Sequence, residues 1–194
     1  MDCKTDFIDY CDTGYFSRLM TDYLREDPSL KPFYTYSPTN PDFSGAMAAR
    51  DAFPTDRALL TRELGSQYKG MEVHERLREN LELLERPDTY TVCTAHQPNL
   101  FTGYMDFVYP VLHAVKLAAF LPEKYPGKHF VPVYYMGSED ADLEELGTVH
   151  VEGRTYRWQT GQRGAVGRMA PEGLAAMIDQ VAERLGVDGP AAEL

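Results

Sequence analysis

The amino-acid sequence predicts an α/β protein built on a parallel strand–helix–strand unit. A short β-prone run at residues 90–94 crosses a polar turn and enters a long apolar segment that extends to about residue 121. A nearly continuous apolar run follows at residues 129–136, which is typical of a parallel strand covered on both faces. Strand, helix and strand in this order form a right-handed crossover unit.

Residues 1–88 are predicted to form a helical segment that packs on this unit. Apolar residues recur at helical spacing in four stretches, which are residues 15–26, 46–52, 56–69 and 72–85. The Pro- and Tyr-rich residues 31–41 predict an extended connector between the first two helices.

The apolar segment after the polar turn predicts a helix that begins at Phe101 or Met105 and ends at Leu121. Pro110 lies inside this segment, so we expect it to kink the helix or to delay its start to about that residue.

Residues 89–194 are predicted to hold only the first part of an open sheet. A hairpin is expected at residues 148–151 and 155–159, followed by a glycine-containing loop and a last helix with Pro171 at its first position. Two strands and a hairpin are fewer than the strands of a typical sheet, which has about five. We therefore expect the chain to be the amino-terminal part of a larger protein.

Composition excludes several classes of function. The net charge of −11 argues against a nucleic-acid binder, because such proteins carry basic stripes. Three cysteines without CxxC spacing predict neither a disulfide framework nor a structural zinc site. No apolar run approaches about 20 residues and no signal sequence is evident, so we expect a cytoplasmic protein that does not span a membrane.

The polar turn after the first strand is the first candidate site. Ligands of open α/β sheets bind at the carboxyl ends of the strands, beside helix N-termini that suit anions. His96, Gln97 and Asn99 lie in this turn, and Gly103 would let the backbone approach a ligand closely. His96 could bind an anion or transfer a proton, or it could cap the helix, and the two amides could instead be turn residues.

An acidic cluster after the second strand is the second candidate site. Glu139, Asp140 and Asp142 would lie at the same edge as His96 and could orient an amine or hydroxyls, hold Mg²⁺ through water, or act as a general base. They could equally form the solvated first turn of a helix. Because the spacing of His96 and these acids matches no dedicated zinc pattern, we assign no metal ligand.

Three further side chains have a structural and a functional interpretation. Cys93 inside the first strand is predicted to be a small buried hydrophobe rather than a nucleophile. Arg163 and Arg168 in the glycine-containing loop could fork onto a phosphate or carboxylate, or could simply belong to a turn.

Several spaced motifs resemble one known family, the bacillithiol biosynthesis cysteine-adding enzymes. The resemblance covers nearly the whole chain, and its most specific parts are His96-Gln-Pro-Asn-Leu-Phe-Thr-Gly103, Val131-Pro-Val-Tyr-Tyr-Met136, Ser138-Glu-Asp140 with Asp142, and Gly164-Ala-Val-Gly-Arg168. Several motifs in the right order identify a family more firmly than a single motif does.

The resemblance implies a Rossmann-like core of the nucleotidyltransferase and class I synthetase type, with connecting-peptide insertions and a C-terminal coiled coil that pairs two subunits. It implies a ligase that joins the carboxyl group of cysteine to the glucosamine amine of glucosaminyl-malate in the last step of bacillithiol synthesis. ATP or ADP is the expected cosubstrate or ligand, because an amide does not form from a free carboxylate without activation.

The resemblance also implies roles for particular residues. The catalytic candidates are His96, Asp140 and Asp142. The residues expected to bind substrate or nucleotide are Thr94, His96, Gln97, Asn99, Thr102, Gly103, Glu139, Asp140 and Asp142.

The chain departs from the family pattern at four places. Ala95 replaces a glycine, Gly103-Tyr-Met-Asp106 replaces Gly-Pro-Leu-Tyr, Pro110 replaces a lysine and Ala141 replaces a histidine. Family proteins are also much longer, so we expect this chain alone to be inactive. Two alternatives therefore stay open, a ligand-binding module that kept the fold without the chemistry and another nucleotidyltransferase-like ligase.

Overall fold

The computed structural model describes residues 4–40, 42–103, 105–140 and 142–186. The chain divides into two compact units, Met1–Asp56 and Arg57–Leu194. The predicted division lies instead at residue 88. The two helices between residues 57 and 88 belong to the same unit as the strands.

The first unit contains two short α-helices, α1 (Arg18–Leu24) and α2 (Ser44–Asp51). Helix α1 begins after Ser17, whose hydroxyl accepts a hydrogen bond from the Met20 amide, so it starts later than the predicted residue 15. The connector predicted as extended begins instead as a 3₁₀-helix, Pro28–Phe33. The Asp27 carboxylate caps this helix by accepting from the Ser29 amide, a local bond that the composition of the connector does not predict.

Helices α3 (Arg57–Gln67) and α4 (Glu75–Glu85) open the second unit and pack against each other. The Arg57 guanidinium donates to the carbonyl oxygens of Leu84 and Thr89 at 3.0 and 2.9 Å. These two bonds tie α3 to the end of α4 and to the start of the first strand, which explains why both helices belong with the sheet.

Strands β1 (Thr89–His96) and β2 (His129–Met136) pair in parallel, as the sequence predicts. The register places Thr89 opposite His129 and His96 opposite Met136. Both strands therefore end at the same edge of the sheet.

Helix α5 (Met105–Lys124) connects the two strands and packs on both. It begins at Met105, one of the two predicted starts, and runs through Pro110 and Pro122, so the alternative start near residue 110 and the predicted end at Leu121 are wrong. Contacts with the sheet bury Ala114, Ala118 and Leu121 and stabilise the helix despite its prolines.

In the described part of the chain, α5 is the one helix that is long and apolar enough to cross a membrane, by length and composition alone. Charged residues interrupt this helix at Asp106, Lys116, Glu123 and Lys124, so its uninterrupted apolar runs stay short. Its packing on both strands is that of the crossover helix of an α/β core.

Within the described ranges, the sheet is covered near the amino ends of its strands. Phe130 and Val131 are buried, whereas Tyr135 and Met136 are exposed, so the prediction that β2 is covered on both faces fails at its carboxyl end. Cys93 is exposed as well and is not the buried hydrophobe predicted from the sequence. Among the described residues, α4 and α5 make the main helical contacts with this sheet, Arg57 of α3 bonds to its start, and these contacts leave its carboxyl edge open.

The rest of the second unit forms helix α6 (Leu143–Leu146), the antiparallel strands β3 (Thr148–Val151) and β4 (Arg154–Arg157), and helix α7 (Leu174–Leu185). The predicted hairpin is confirmed, and its turn residues Glu152 and Gly153 have positive φ angles of 48° and 76°, as a tight hairpin turn requires. Helix α7 begins after Gly173, which has a left-handed conformation, and not at Pro171 as predicted.

Candidate functional site

His96 is the last residue of β1, at the edge where both strands end. Its carbonyl oxygen accepts hydrogen bonds from the Gly137 amide at 3.0 Å and from the Tyr134 hydroxyl at 2.9 Å. Burial raises the pKa of the Tyr134 phenol, so this hydroxyl stays protonated and remains a donor at neutral pH. The turn after β1 is therefore fixed to the end of β2.

The two predicted loops meet across a cavity of about 350 Å³. Gln97 on one loop donates from its side-chain nitrogen to a carboxylate oxygen of Asp140 on the other, at 2.9 Å. The cavity is lined by Ala95, His96, Gln97, Tyr135, Met136, Gly137, Ser138, Glu139 and Asp140. The structure thus brings together one imidazole, one amide and two carboxylates at the edge predicted from the sequence.

Asn99 contacts the His96 ring directly. Its side-chain nitrogen lies 3.0 Å from His96 Nδ1 and 2.8 Å from the carbonyl oxygen of Gln97. The backbone then turns through Phe101, which has a positive φ of 50°, and through Gly103, which has φ 62° and ψ −144°. A Cβ atom on Gly103 would lie 2.5 Å from the Cβ of Asn99, so this close turn requires glycine.

A second cavity of about 310 Å³ also borders the His96 turn and shares His96 and Gln97 with the first. Its lining includes Asp106, whose carboxylate oxygen lies 3.8 Å from His96 Nε2, and Glu145 from α6. The sequence reasoning missed Asp106 as a site residue and noted it only as a departure from the family pattern. Its place in the first turn of α5 was the available signal, because that turn faces the end of β1.

A third and larger cavity of about 650 Å³ shares Asn99, Glu145 and Leu146 with the second. Most of its wall is apolar and comes from the β3–β4 hairpin and from Ile178, Val181 and Ala182 on α7. A polar and an apolar compartment therefore adjoin near the same turn.

Glu139 is paired with Arg168, whose Nε lies 3.2 Å from its carboxylate. The loop that carries Arg168 packs closely on the acidic loop, because the Gly167 amide donates to the Ser138 carbonyl and a Cβ on Gly167 would lie 2.6 Å from the Ser138 Cβ. Arg168 thus comes to the rim of the site, whereas the described contacts do not place Arg163 there.

Asp142 is not among the residues that line the cavity beside His96. Its carboxylate accepts a hydrogen bond from the Glu145 amide at 2.7 Å and caps α6. This geometry matches the structural alternative for the acidic cluster, in which an acid occupies a helix N-terminus.

The remaining candidates lie at the border of the site. Thr94 is half-buried on β1, opposite Tyr134. Thr102 belongs to the 3₁₀ turn Leu100–Thr102, and its side chain lies outside what the structure describes, as do the departures at Tyr104 and Ala141.

The site is strongly acidic. Glu139 and Asp140 border one cavity, while Asp106 and Glu145 border the other. Carboxylates favour ammonium groups and hydroxyls, and Asp106 in the first turn of α5 opposes the binding of a phosphate at that helix start. Within the described ranges, no group of three or more His, Cys, Asp or Glu side chains is placed to hold a metal ion.

Comparison with known proteins identifies the relatives of this fold. Residues 3–194 match the family described as bacillithiol biosynthesis BshC, N-terminal Rossmann-like domain, which confirms the predicted Rossmann-like fold. A Flavobacterium johnsoniae protein named "Putative cysteine ligase BshC" is 39% identical over 184 residues, which are 94% of this chain and 35% of the relative.

Two further proteins of the same name show similar coverage. The Cytophaga hutchinsonii protein is 36% identical over 170 residues, which are 88% of this chain and 33% of the relative. The Salinibacter ruber protein is 30% identical over 181 residues, which are 89% of this chain and 33% of the relative. The chain therefore spans about a third of the length of the curated relatives that it matches.

Proposed function

Because the chain belongs to the bacillithiol biosynthesis BshC family, we propose that the protein carrying this domain joins cysteine to glucosaminyl-malate in the last step of bacillithiol synthesis. The observation that supports this proposal is the Gln97–Asp140 hydrogen bond, which joins the two loops across a cavity that His96 also lines. A ligase needs an amine and an acyl group side by side, and this edge offers groups suited to both.

The carboxylates suit the amino groups of the two substrates. Asp140 and Glu139 face a cavity of about 350 Å³, within the size range of small-molecule sites. They would attract the ammonium group of cysteine or the hydroxyls and amine of the sugar. His96 would act on the acyl group, and Asp142 would contribute by holding α6 rather than by touching substrate.

Activation of the cysteine carboxylate needs a cosubstrate, for which we propose ATP. Asp106 opposes a phosphate at the start of α5, whereas Arg168 at the rim offers a guanidinium that can bind phosphate or carboxylate. The whole protein would carry out this reaction in the cytoplasm, as a homodimer with the length of its relatives.

The proposal is tested with the full-length protein supplied with cysteine, glucosaminyl-malate and ATP. We expect bacillithiol among the products by mass spectrometry, and we expect bacillithiol to disappear from cells that lack the gene. Unchanged thiol pools in the deletion strain would overturn the proposed activity.

A ligand-binding module without catalysis is the second candidate. Asp106 beside His96 and Pro110 in place of a lysine favour it, because both reduce positive charge around the turn. Calorimetry with ATP, ADP, cysteine and glucosaminyl-malate separates the two, since binding without product formation in the full-length protein supports the module.

A further inference from the structure

The Asn99 side chain has only one orientation that satisfies its neighbours. Its Nδ2 atom lies 2.8 Å from the carbonyl oxygen of Gln97. A carbonyl oxygen only accepts hydrogen bonds, so the amino group of Asn99, and not its oxygen, must face Gln97. The carbonyl group of Gln97 therefore fixes the orientation of the Asn99 amide.

The fixed amide also determines the tautomer of His96. The same amino group lies 3.0 Å from His96 Nδ1, so its second hydrogen is within hydrogen-bond distance of that ring nitrogen. A ring nitrogen that accepts a hydrogen bond carries no proton, so the proton of the neutral imidazole lies on Nε2.

One contact favours the other tautomer. His96 Nδ1 also lies 3.1 Å from the Gln97 carbonyl oxygen, to which a protonated Nδ1 could donate. In that tautomer the N–H group of His96 Nδ1 and an N–H group of Asn99 Nδ2 would face each other at 3.0 Å. The Nε2–H tautomer avoids this conflict and keeps both hydrogen bonds of Asn99.

The proton on Nε2 points into an acidic cleft. Asp106 Oδ2 lies 3.8 Å from Nε2, which is too long for a direct hydrogen bond and leaves the N–H available to a ligand atom. Asp106 from α5 and Glu145 from α6 line this cleft, Asp140 contacts the neighbouring Gln97, and the Tyr134 hydroxyl binds the His96 carbonyl. These charges disfavour an anionic oxygen and favour an uncharged one.

We propose that Asn99 is a positioning residue that selects the Nε2–H tautomer of the His96 imidazole, so that Nε2 donates a hydrogen bond to the carbonyl oxygen of an acyl substrate. A neutral imidazole in this state can polarise a carbonyl group and cannot accept a proton at Nε2. The inference deepens the proposed function, on which its catalytic meaning rests, and it assigns His96 a donor role rather than a base role.

Gly103 maintains this arrangement from the far side of the turn. Its backbone passes so close to Asn99 that a side chain there would displace the amide. The turn at Gly103 thus holds the Asn99 amide in place, and this amide in turn selects the tautomer of His96.

The test is NMR of protein labelled with ¹⁵N at its five histidines, one of which, His113, is exposed on α5 and serves as an internal reference. In the neutral imidazole of wild-type His96, we expect the unprotonated nitrogen to be Nδ1. The side chain of Asn99→Asp cannot donate a hydrogen bond, so the proton of the His96 ring should move to Nδ1 in this variant.

Asn99→Ala should give a mixture of the two tautomers. Asn80→Asp on α4 is the matched control and should leave the His96 spectrum unchanged.

A proton on Nδ1 in the wild type, or an unchanged His96 spectrum in Asn99→Asp with His113 and the fold intact, overturns the proposal. A second readout uses the full-length protein, in which Asn99→Asp should lower kcat by roughly 10²-fold or more with little change in KM. If the tautomer is as stated but no ligation occurs in the wild type, the proposed function fails and the assignment of the tautomer stands.

Discussion

Tyr134 shows how one side chain fixes the site at the scale of a residue. Its hydroxyl donates to the His96 carbonyl oxygen at 2.9 Å from a half-buried position on β2. An intramolecular hydrogen bond of this kind contributes about 0.5–1.5 kcal/mol to stability. The next residue, Tyr135, is exposed and provides a natural comparison.

We predict that Tyr134→Phe lowers the free energy of unfolding by about 0.5–1.5 kcal/mol, because the His96 carbonyl loses a donor. Urea denaturation measures this change. Tyr135→Phe, at a side chain that is 70% exposed, should stay within about 0.5 kcal/mol of the wild type. Equal effects of the two substitutions would contradict the role given to the Tyr134 hydroxyl.

The same residue predicts a dependence on pH. Burial raises the pKa of Tyr134 in the folded state above its ordinary value of 10.0. The stabilising contribution of the protonated phenol is therefore fully present below about pH 10 and is lost as the pH rises through the folded-state pKa. Denaturation curves of the wild type between neutral and alkaline pH should show a fall in stability that Tyr134→Phe lacks. The same pH dependence in both proteins would contradict this role of the Tyr134 phenol.

At the scale of elements, the loop that carries Arg168 is held by close packing rather than by a side-chain cluster. Gly167 lies against Ser138, and the Arg168 guanidinium then reaches Glu139. Because both side chains of that ion pair are mostly exposed, the pair itself contributes little to stability. The backbone contact at Gly167 is what places the loop.

We predict that Gly167→Ala destabilises the protein by about 1–3 kcal/mol, since its Cβ would overlap Ser138 and push the loop away. Thermal unfolding measures the loss. Gly161→Ala in the same loop is the control, because its added Cβ would meet nothing within 4 Å and its φ is not positive. A stable Gly167→Ala variant that retains the position of Arg168 would refute the packing argument.

The elements themselves were largely predictable from hydrophobic periodicity. The runs at residues 90–94 and 129–136 gave the two strands, and Glu152-Gly153 gave the hairpin turn. Helix ends were less predictable, since they depend on caps such as Ser17, Asp27 and Gly173.

The part of the candidate site that follows from the order of strands and loops in the chain was predictable. His96, Gln97 and Asp140 meet because parallel strands end at one edge. The first-turn position of Asp106 on α5 was a signal that it lies near the end of β1, but its 3.8 Å distance from His96 Nε2 also depends on the positive φ angles at Phe101 and Gly103. The sequence allows a capping role for Asp142 but does not select it, because its hydrogen bond with the Glu145 amide depends on the local backbone geometry.

At the scale of the whole molecule, α5 presents a second apolar face away from the sheet. Its exposed apolar side chains include Met105, Tyr109, Leu112, Val115 and Phe120. Exposed apolar patches of this kind are uncommon on soluble monomers and promote association.

We predict that the 194-residue chain self-associates through this face and that Leu112→Lys increases the monomer fraction. Analytical ultracentrifugation over a range of concentrations measures the change. Gln180→Lys on α7 adds the same charge at an exposed position and should leave association unaffected. Equal behaviour of both variants would show that net charge, and not the α5 face, controls association.

The most direct measurement of the central claim is the turnover of the full-length protein with His96→Ala, compared with His113→Ala on α5. If His96 acts on the substrate at the edge that it shares with Asp140, the first variant should lose roughly 10²–10⁴-fold in turnover and the second should keep the wild-type rate. A His96→Ala enzyme that turns over as fast as the wild type would reduce the imidazole to a structural part of its turn and contradict the account.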